Sequence, residues 1–205
     1  YSDDELEDAA FLQLTGVRHG ETFGRSADDG RSIANALSLK RLVSATACTS
    51  FPSVLVREVV RQRIQGSELL GFEFMEVIPE RRTGRRPGER ELISWESVCE
   101  PWWELRSSVT MPPLSPSVRI LYPDPAWGPF DPRQIVGIHE GAFRGGELHY
   151  IKSDIERMSP FDFAMTWEHI GKPPFGDRLI VSQRVYQLFK QHHFRARWAP
   201  VRLDG

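Results

Sequence analysis

The hydrophobic period of the chain changes several times along its length, and the changes mark its elements. Residues 71–77, Gly-Phe-Glu-Phe-Met-Glu-Val, alternate apolar and polar positions with the two-residue period of a half-buried strand. Residues 161–170, with Phe161, Phe163 and Trp167, and residues 195–203 alternate in the same way. Two further strands are predicted at 135–139 and 147–151, joined by a Gly145-Gly146 turn, and a short one at 118–122. Leu179-Ile180-Val181 is apolar without alternation, which suits a short buried strand. Helical spacing runs through residues 33–43 and again between Ser50 or Ser53, as cap, and Gly66, as terminator. Pro52 suits the first turn of that second helix. Its period places Leu55, Val59, Val60 and Ile64 on one face and Arg57, Arg61 and Arg63 toward water. Residues 153–158 predict one helical turn. A last helix follows Ser182 as its cap and runs to His193, with Val185, Leu188, Phe189 and His192 on one side. The acidic lead, with Asp3, Asp4, Glu5, Glu7 and Asp8, suits the positive end of a helix.

Between these elements the chain is broken by charge, glycine and proline. Residues 20–31 read as a loop. Residues 79–91 carry Arg81, Arg82, Arg85, Arg86 and Arg90 among Glu80, Glu89 and Glu91, and Gly84, Pro87 and Gly88 interrupt regular structure there. This second loop is either a solvated hairpin tip or a basic contact surface. Residues 112–132 are dense in proline and hold Tyr122, Trp127 and Phe130. Adjacent Trp102 and Trp103 must point in different directions, so one belongs to the core and the other to the surface. Strands of mixed length with few helices predict an α+β fold: a mainly antiparallel, mixed sheet with a few helices packed on it. The 205 residues are expected to form one domain, with residues 112–132 as the one candidate subdivision.

Composition narrows the function classes. A hydrophobic content of 40% is ample for a core, and roughly 70% of the unfolded surface can be buried at this size. The formal charge of −2 argues against nucleic-acid binding by bulk electrostatics. Cys48 and Cys99 stand far apart with no C-x-x-C pair, so neither a zinc centre nor a secreted disulfide framework is expected. No apolar run approaches the ~18 residues of a membrane span, and an acidic start is unlike a signal peptide. A soluble, cytoplasmic protein is the expectation. His139, Glu140, His149 and Asp154 would converge if strands 135–139 and 147–151 paired, but no helix carries two histidines at ligand spacing. Neither a metal nor another cofactor is expected.

Two stretches carry resemblances. Arg18-His19-Gly20-Glu21-Thr22 resembles the signature of the histidine phosphatases. That resemblance implies His19 as a nucleophile taking a phosphoryl group and Arg18 on the phosphate oxygens. It also implies His139, after an apolar strand, as the second histidine, with Arg57 or Arg61 as a further phosphate ligand. The context departs from the family: Glu140 stands where a glycine is usual, and Arg-rich and Pro-rich loops replace the strand–helix alternation.

The second resemblance lies at the C-terminus. Ser159-Pro160-Phe161-Asp162-Phe163 is followed by a Gly/Pro turn, then Leu179-Ile180-Val181-Ser182-Gln183-Arg184, a helix, and a last strand through Ala199-Pro200-Val201. This resembles the ending of bacterial immunity proteins of the double-CxxCG family, although both C-x-x-C pairs are absent here. The resemblance implies a non-enzymatic protein that neutralises a cognate bacterial toxin by direct contact; the near-balanced charge and the short apolar runs point to no nucleic-acid or membrane partner. We favour it over the phosphatase alternative. The contact residues expected from the sequence are Tyr122, Asp124, Trp127 and Asp131. They combine stiff backbone, aromatic anchors and acids that would meet cationic groups on a toxin. Arg81, Arg82, Arg85 and Arg86 form a second candidate surface.

Overall fold

Strand Leu179–Ser182 lies at the heart of the molecule, with all four residues buried. The structure is a computed structural model and describes residues 1–14, 17–18, 25–26, 32–35, 47–50, 53–82, 90–94, 100–127, 129–140, 143–144, 147–171 and 176–205. Five strands form the central sheet, in the order Leu148–Ile151, Trp198–Asp204, Phe11–Leu14, Leu179–Ser182, Phe163–Met165. Leu148–Ile151 runs parallel to its neighbour, and the other three pairings are antiparallel. Together with four short helices among the described residues, this is the α+β architecture that the pattern predicts.

Both faces of this sheet are covered, which is why Leu179-Ile180-Val181 shows no alternation. On one face Leu12, Leu14, Leu179 and Val181 meet Val60 and Ile64 of helix Glu58–Gln65 and Val185 and Phe189 of helix Gln183–Gln191. On the other face Ile180, Val201, Leu148 and Tyr150 pack against Met111, Leu114, Ile135 and Ile138. A second five-stranded sheet, ordered Val17–Arg18, Ala47–Ser50, Ser53–Arg57, Trp102–Arg106, Glu73–Glu76, adds Val54, Val56 and Leu105 to the first core. Adjacent Trp102 and Trp103 divide as strand geometry requires, the first buried and the second half-buried. Trp103 Nε1 donates to Glu58 Oε2 at 2.5 Å, and the Arg61 guanidinium lies 4.2 Å from the Trp103 ring centroid. The N-terminal helix Asp3–Asp8 forms as its charge suggests, closed by a capping box between Ser2 and Glu5.

Several local readings are overturned by long-range pairing. The helix expected from Ser50 or Ser53 begins only at Glu58, because Ser53–Arg57 is a strand held between Ala47–Ser50 and Trp102–Arg106. Val54, Leu55 and Val56 are all buried there, while Val59 is exposed. Two sheet partners outweigh a helical period across a β-prone run. Of the helical spacing at 33–43, residues 33–35 are strand instead, since Ser32–Asn35 runs parallel to Ile78–Arg82; residues 36–43 lie outside the described residues. The loop expected at 79–91 is in part strand: Ile78–Arg82 pairs antiparallel with Arg90–Leu92, with Arg81 opposite Glu91, and residues 83–89 lie outside the described residues. Strands 135–139 and 147–151 do not form a hairpin. Gly137–Glu140 pairs with Phe143–Arg144 and Arg119–Leu121, whereas Leu148–Ile151 edges the central sheet; Gly145 and Gly146 lie outside the described residues.

Residues 161–170 divide into Phe163–Met165 and His169–Ile170, which belong to different sheets. Thr166 makes the break: its hydroxyl donates to the Glu168 carbonyl at 2.7 Å and accepts from the Arg178 N–H at 2.9 Å. Gly71 supports the start of the first of these strands. Its φ of +85° suits glycine, and a Cβ there would lie 2.7 Å from the Phe163 carbonyl oxygen.

Ser182 occupies the N-cap position of helix Gln183–Gln191, but its side chain makes no capping bond. Its hydroxyl instead donates to Asp162 Oδ1 at 2.5 Å, and the Gln183 N–H is bonded by the Ala10 carbonyl at 3.2 Å. Ser182→Ala is therefore expected to cost about 1–2 kcal/mol through the lost buried bond. Ser182→Asp, a good cap in principle, is expected to give no rescue because it sets a second carboxylate against Asp162. Urea unfolding of the two variants checks this.

Candidate binding face

The Pro-rich segment is anchored at both ends. Arg119–Leu121 pairs antiparallel with Gly137–Glu140, and the Leu121 carbonyl accepts the Val136 N–H at 2.7 Å. Asp124 Oδ1 then accepts the Ala126 N–H at 2.9 Å, fixing the single 3₁₀ turn Pro125–Trp127. Farther on, Asp131 Oδ1 accepts the Arg133 N–H at 2.8 Å, and both Asp131 oxygens accept from the Arg133 guanidinium at 3.2 Å. Gln134 closes the turn, its side-chain oxygen accepting the Asp131 N–H at 3.0 Å. The Arg133 side chain, and then its N–H, hold the Asp131 carboxyl below the ordinary aspartate range.

Parallel pairing of Gln134–Ile135 with His169–Ile170 brings a distant segment alongside this turn. The His169 N–H donates to the Arg133 carbonyl at 2.8 Å, and the Arg133 guanidinium lies 6.0 Å from the Trp167 ring centroid. Trp167 remains 37% exposed and Tyr122 64% exposed, with Leu121 also open to solvent. His169 Nδ1 is paired with Asp177. Arg133 and Trp167 thus form an aromatic–guanidinium pair on a turn whose backbone is already fixed, and the exposed Leu121 and Tyr122 lie at the end of a strand in the same Pro-rich segment. Trp, Tyr and Arg are the residue types that dominate binding energy at protein interfaces.

Of the contact residues read from the sequence, Tyr122, Asp124 and Asp131 are exposed here, and Trp127 ends the 3₁₀ turn. Asp131 is brought against Arg133 and thereby toward Trp167, while Asp124 is engaged by its own turn. Arg133 and Trp167 were not singled out. The signal that could have found Trp167 is a large aromatic next to Thr166, a residue able to interrupt a strand by bonding to nearby backbone. Of the second surface, Arg81 and Arg82 lie in strand Ile78–Arg82; Arg85 and Arg86 lie outside the described residues.

The phosphatase residues are distributed differently. Arg18 lies in a short strand opposite Thr49, and His139 lies in another sheet opposite Arg119 and Arg144. His19 lies outside the described residues. Arg57 is paired with Glu100, and Arg61 is held by Glu58 at 2.6 Å. His139, Glu140, His149 and Asp154 are not brought together by strand pairing: His149 Nδ1 lies 3.2 Å from Asp204 Oδ1, and Asp154 pairs with Arg157. Among the described residues no group of three or more His, Cys, Asp or Glu side chains could hold a metal ion, and no helix is long and apolar enough to cross a membrane.

The two halves of the C-terminal resemblance meet at one residue. Asp162 is only 2% exposed and accepts from the Ser182 hydroxyl at 2.5 Å, the Leu70 N–H at 2.9 Å and Arg184 Nη1 at 3.1 Å. The Asp162 N–H returns a bond to the Leu70 carbonyl at 2.9 Å. The Asp of the first segment thus ties the Ser and Arg of the second to the linker after helix Glu58–Gln65. No family model, curated protein or solved structure matches the chain.

Proposed function

We propose that this chain is an immunity-type binding protein, acting in the bacterial cytoplasm, that neutralises a cognate toxin by direct contact through Leu121, Tyr122, Asp131, Arg133 and Trp167. The observation that carries the reading is the exposure of Trp167 beside Arg133, on a turn fixed by Asp131–Arg133 and by the parallel pairing with His169, together with the exposure of Tyr122 after strand Arg119–Leu121. Anchors held in place before binding lose little entropy on docking. The exposed carboxyl of Asp124 would meet a cationic toxin surface, while Asp131 holds Arg133 in place. The convergence of Asp162, Ser182 and Arg184 gives the C-terminal resemblance a physical role, as a buried tie that a scaffold of this kind would retain.

The test is co-expression with the toxin domain encoded beside the gene for this chain. Growth restored by the parent chain, together with co-purification of the two proteins, supports the reading. Undiminished toxicity in cells that hold folded chain in excess rejects it. Phosphomonoester hydrolysis that is lost in His19→Ala would transfer the assignment to the phosphatase alternative.

A further inference from the structure

Directly behind Trp167 the chain turns inward and buries an acid. Glu168 is 3% exposed, in contact with the core that holds Leu114, Ile135, Ile170 and Tyr150. Its Oε1 accepts the Leu114 N–H at 2.7 Å, while Oε2 is buried without a hydrogen-bond partner. The Tyr150 hydroxyl is likewise buried and unpartnered, and lies near enough to Glu168 to feel its charge. Two orphaned oxygens in an apolar core are costly, and the cost is greatest when one is a carboxylate.

We propose that Glu168 and Tyr150 form a proton-responsive latch beneath the binding face: segment 166–170 is held most firmly when the Glu168 carboxyl is neutral and loosens when it ionises. The latch is placed to control the face because Glu168 sits between Trp167 and His169. The same short segment bonds Arg133 through the His169 N–H and the turn at Arg178 through Thr166. This regulatory role rests on the proposed binding function; the latch itself does not.

Charges around the carboxyl do little to offset its burial. Tyr150, on strand Leu148–Ile151, lies within range of its charge, and ionisation of that phenol is itself opposed by burial. His169, paired with Asp177, favours the ionised acid weakly from the adjacent position. Arg178 reaches the segment through its backbone N–H to Thr166 and its guanidinium to the Ile170 carbonyl at 3.4 Å. His149 on the Tyr150 strand is paired with Asp204. Burial pushes the Glu168 carboxyl above the ordinary glutamate value, against the opposing pull of the Leu114 N–H. A raised folded-state value means that the folded chain binds the proton more tightly than the unfolded one. The resulting stability is complete below the unfolded-state pKa and is lost as pH rises through the folded-state pKa. Across that window each pH unit changes the opening equilibrium by up to about tenfold.

The experiment uses the full chain without a partner. Carbon-13 NMR of the side-chain carboxyl in the parent protein reads the Glu168 titration. Hydrogen exchange of the Leu114, Thr166, His169 and Ile170 amides, corrected for intrinsic pH dependence, reads the latch in the parent and in Glu168→Gln. Glu168 is expected to titrate above the ordinary range, with protection of these amides falling as pH rises through that titration. Glu168→Gln is expected to hold protection constant and, above the window, higher than the parent. Titration at the ordinary value, or the same pH dependence in parent and variant, overturns the latch even if the variant folds poorly, because the first readout needs only the parent. A latch that behaves as expected in a chain that neither binds nor neutralises the toxin would reject the immunity reading alone.

Discussion

Asp162→Ala is expected to lower the free energy of unfolding by about 2–4 kcal/mol, measured by urea denaturation at neutral pH. The aspartate accepts from three donors, and the three do not weigh equally. The Ser182 hydroxyl and the Leu70 N–H are buried or partly buried, and each loses an acceptor that water replaces poorly, at about 1–3 kcal/mol for a buried orphan. The Arg184 side chain is more than half exposed, so its share is small. Asp162→Asn keeps a side-chain oxygen for one of the two inner donors and is expected to cost less than alanine. The loss also loosens the link between strands Phe163–Met165 and Leu179–Ser182 and the linker at Leu70. A cost below 1 kcal/mol for Asp162→Ala would show that Asp162 is not the tie that joins the two segments of the C-terminal resemblance.

Under the proposed immunity function, Trp167→Ala is expected to weaken toxin binding about 30-fold or more, with a smaller loss of melting temperature than truncation of a buried tryptophan would bring. An aromatic anchor at the centre of an interface commonly contributes 2 kcal/mol or more, and each 1.4 kcal/mol is about a factor of ten. Stability should change less than at a buried tryptophan because 37% of Trp167 is open to solvent and the Arg133–Asp131 pair beside it is a surface pair. Trp167→Phe is expected to retain part of the affinity. Tyr122→Ala should weaken binding less, and its effect on top of Trp167→Ala should fall short of the sum if both rings enter one pocket. Titration calorimetry against the purified toxin domain reads all of these. A folded Trp167→Ala, Tyr122→Ala double variant with parental affinity would remove this face from the function and direct attention to the strand carrying Arg81 and Arg82.

Much of what the sequence determined concerns short segments whose neighbours in space are also neighbours in the chain. A capping box needs only Ser2 and Glu5, a turn of helix apart, and the acidic first turn favours the same helix. The apolar run at 179–181 implied a buried strand before any partner was known, and the apolar stripe of Val185 and Phe189 implied a helix facing a core. The α+β class followed from such elements together. Tyr122, Asp124 and Asp131 were legible as surface groups because proline-rich polar chain seldom forms the interior.

Pairing decided what local period did not. Whether residues 53–57 begin a helix or complete a sheet depends on Trp102–Arg106, a segment that enters only when the chain is folded. Residues 161–170 read as one strand because alternation continues through Thr166, yet Thr166 diverts its hydrogen bonds to Glu168 and Arg178 and sends the two halves to different sheets. The hydroxyl of Ser182 had two possible acceptable roles, capping its own helix or bonding a buried carboxylate, and the position of Asp162 selected the second. Arg133 and Trp167 become neighbours only through a parallel bridge, and Glu168 is a buried acid because the fold brings the Leu114 segment against it. Helical and strand periods report the direction of each side chain relative to its own backbone. What a side chain touches is set by contacts between segments distant in the chain, and these depend on which sheet edges and apolar faces must be covered at the same time.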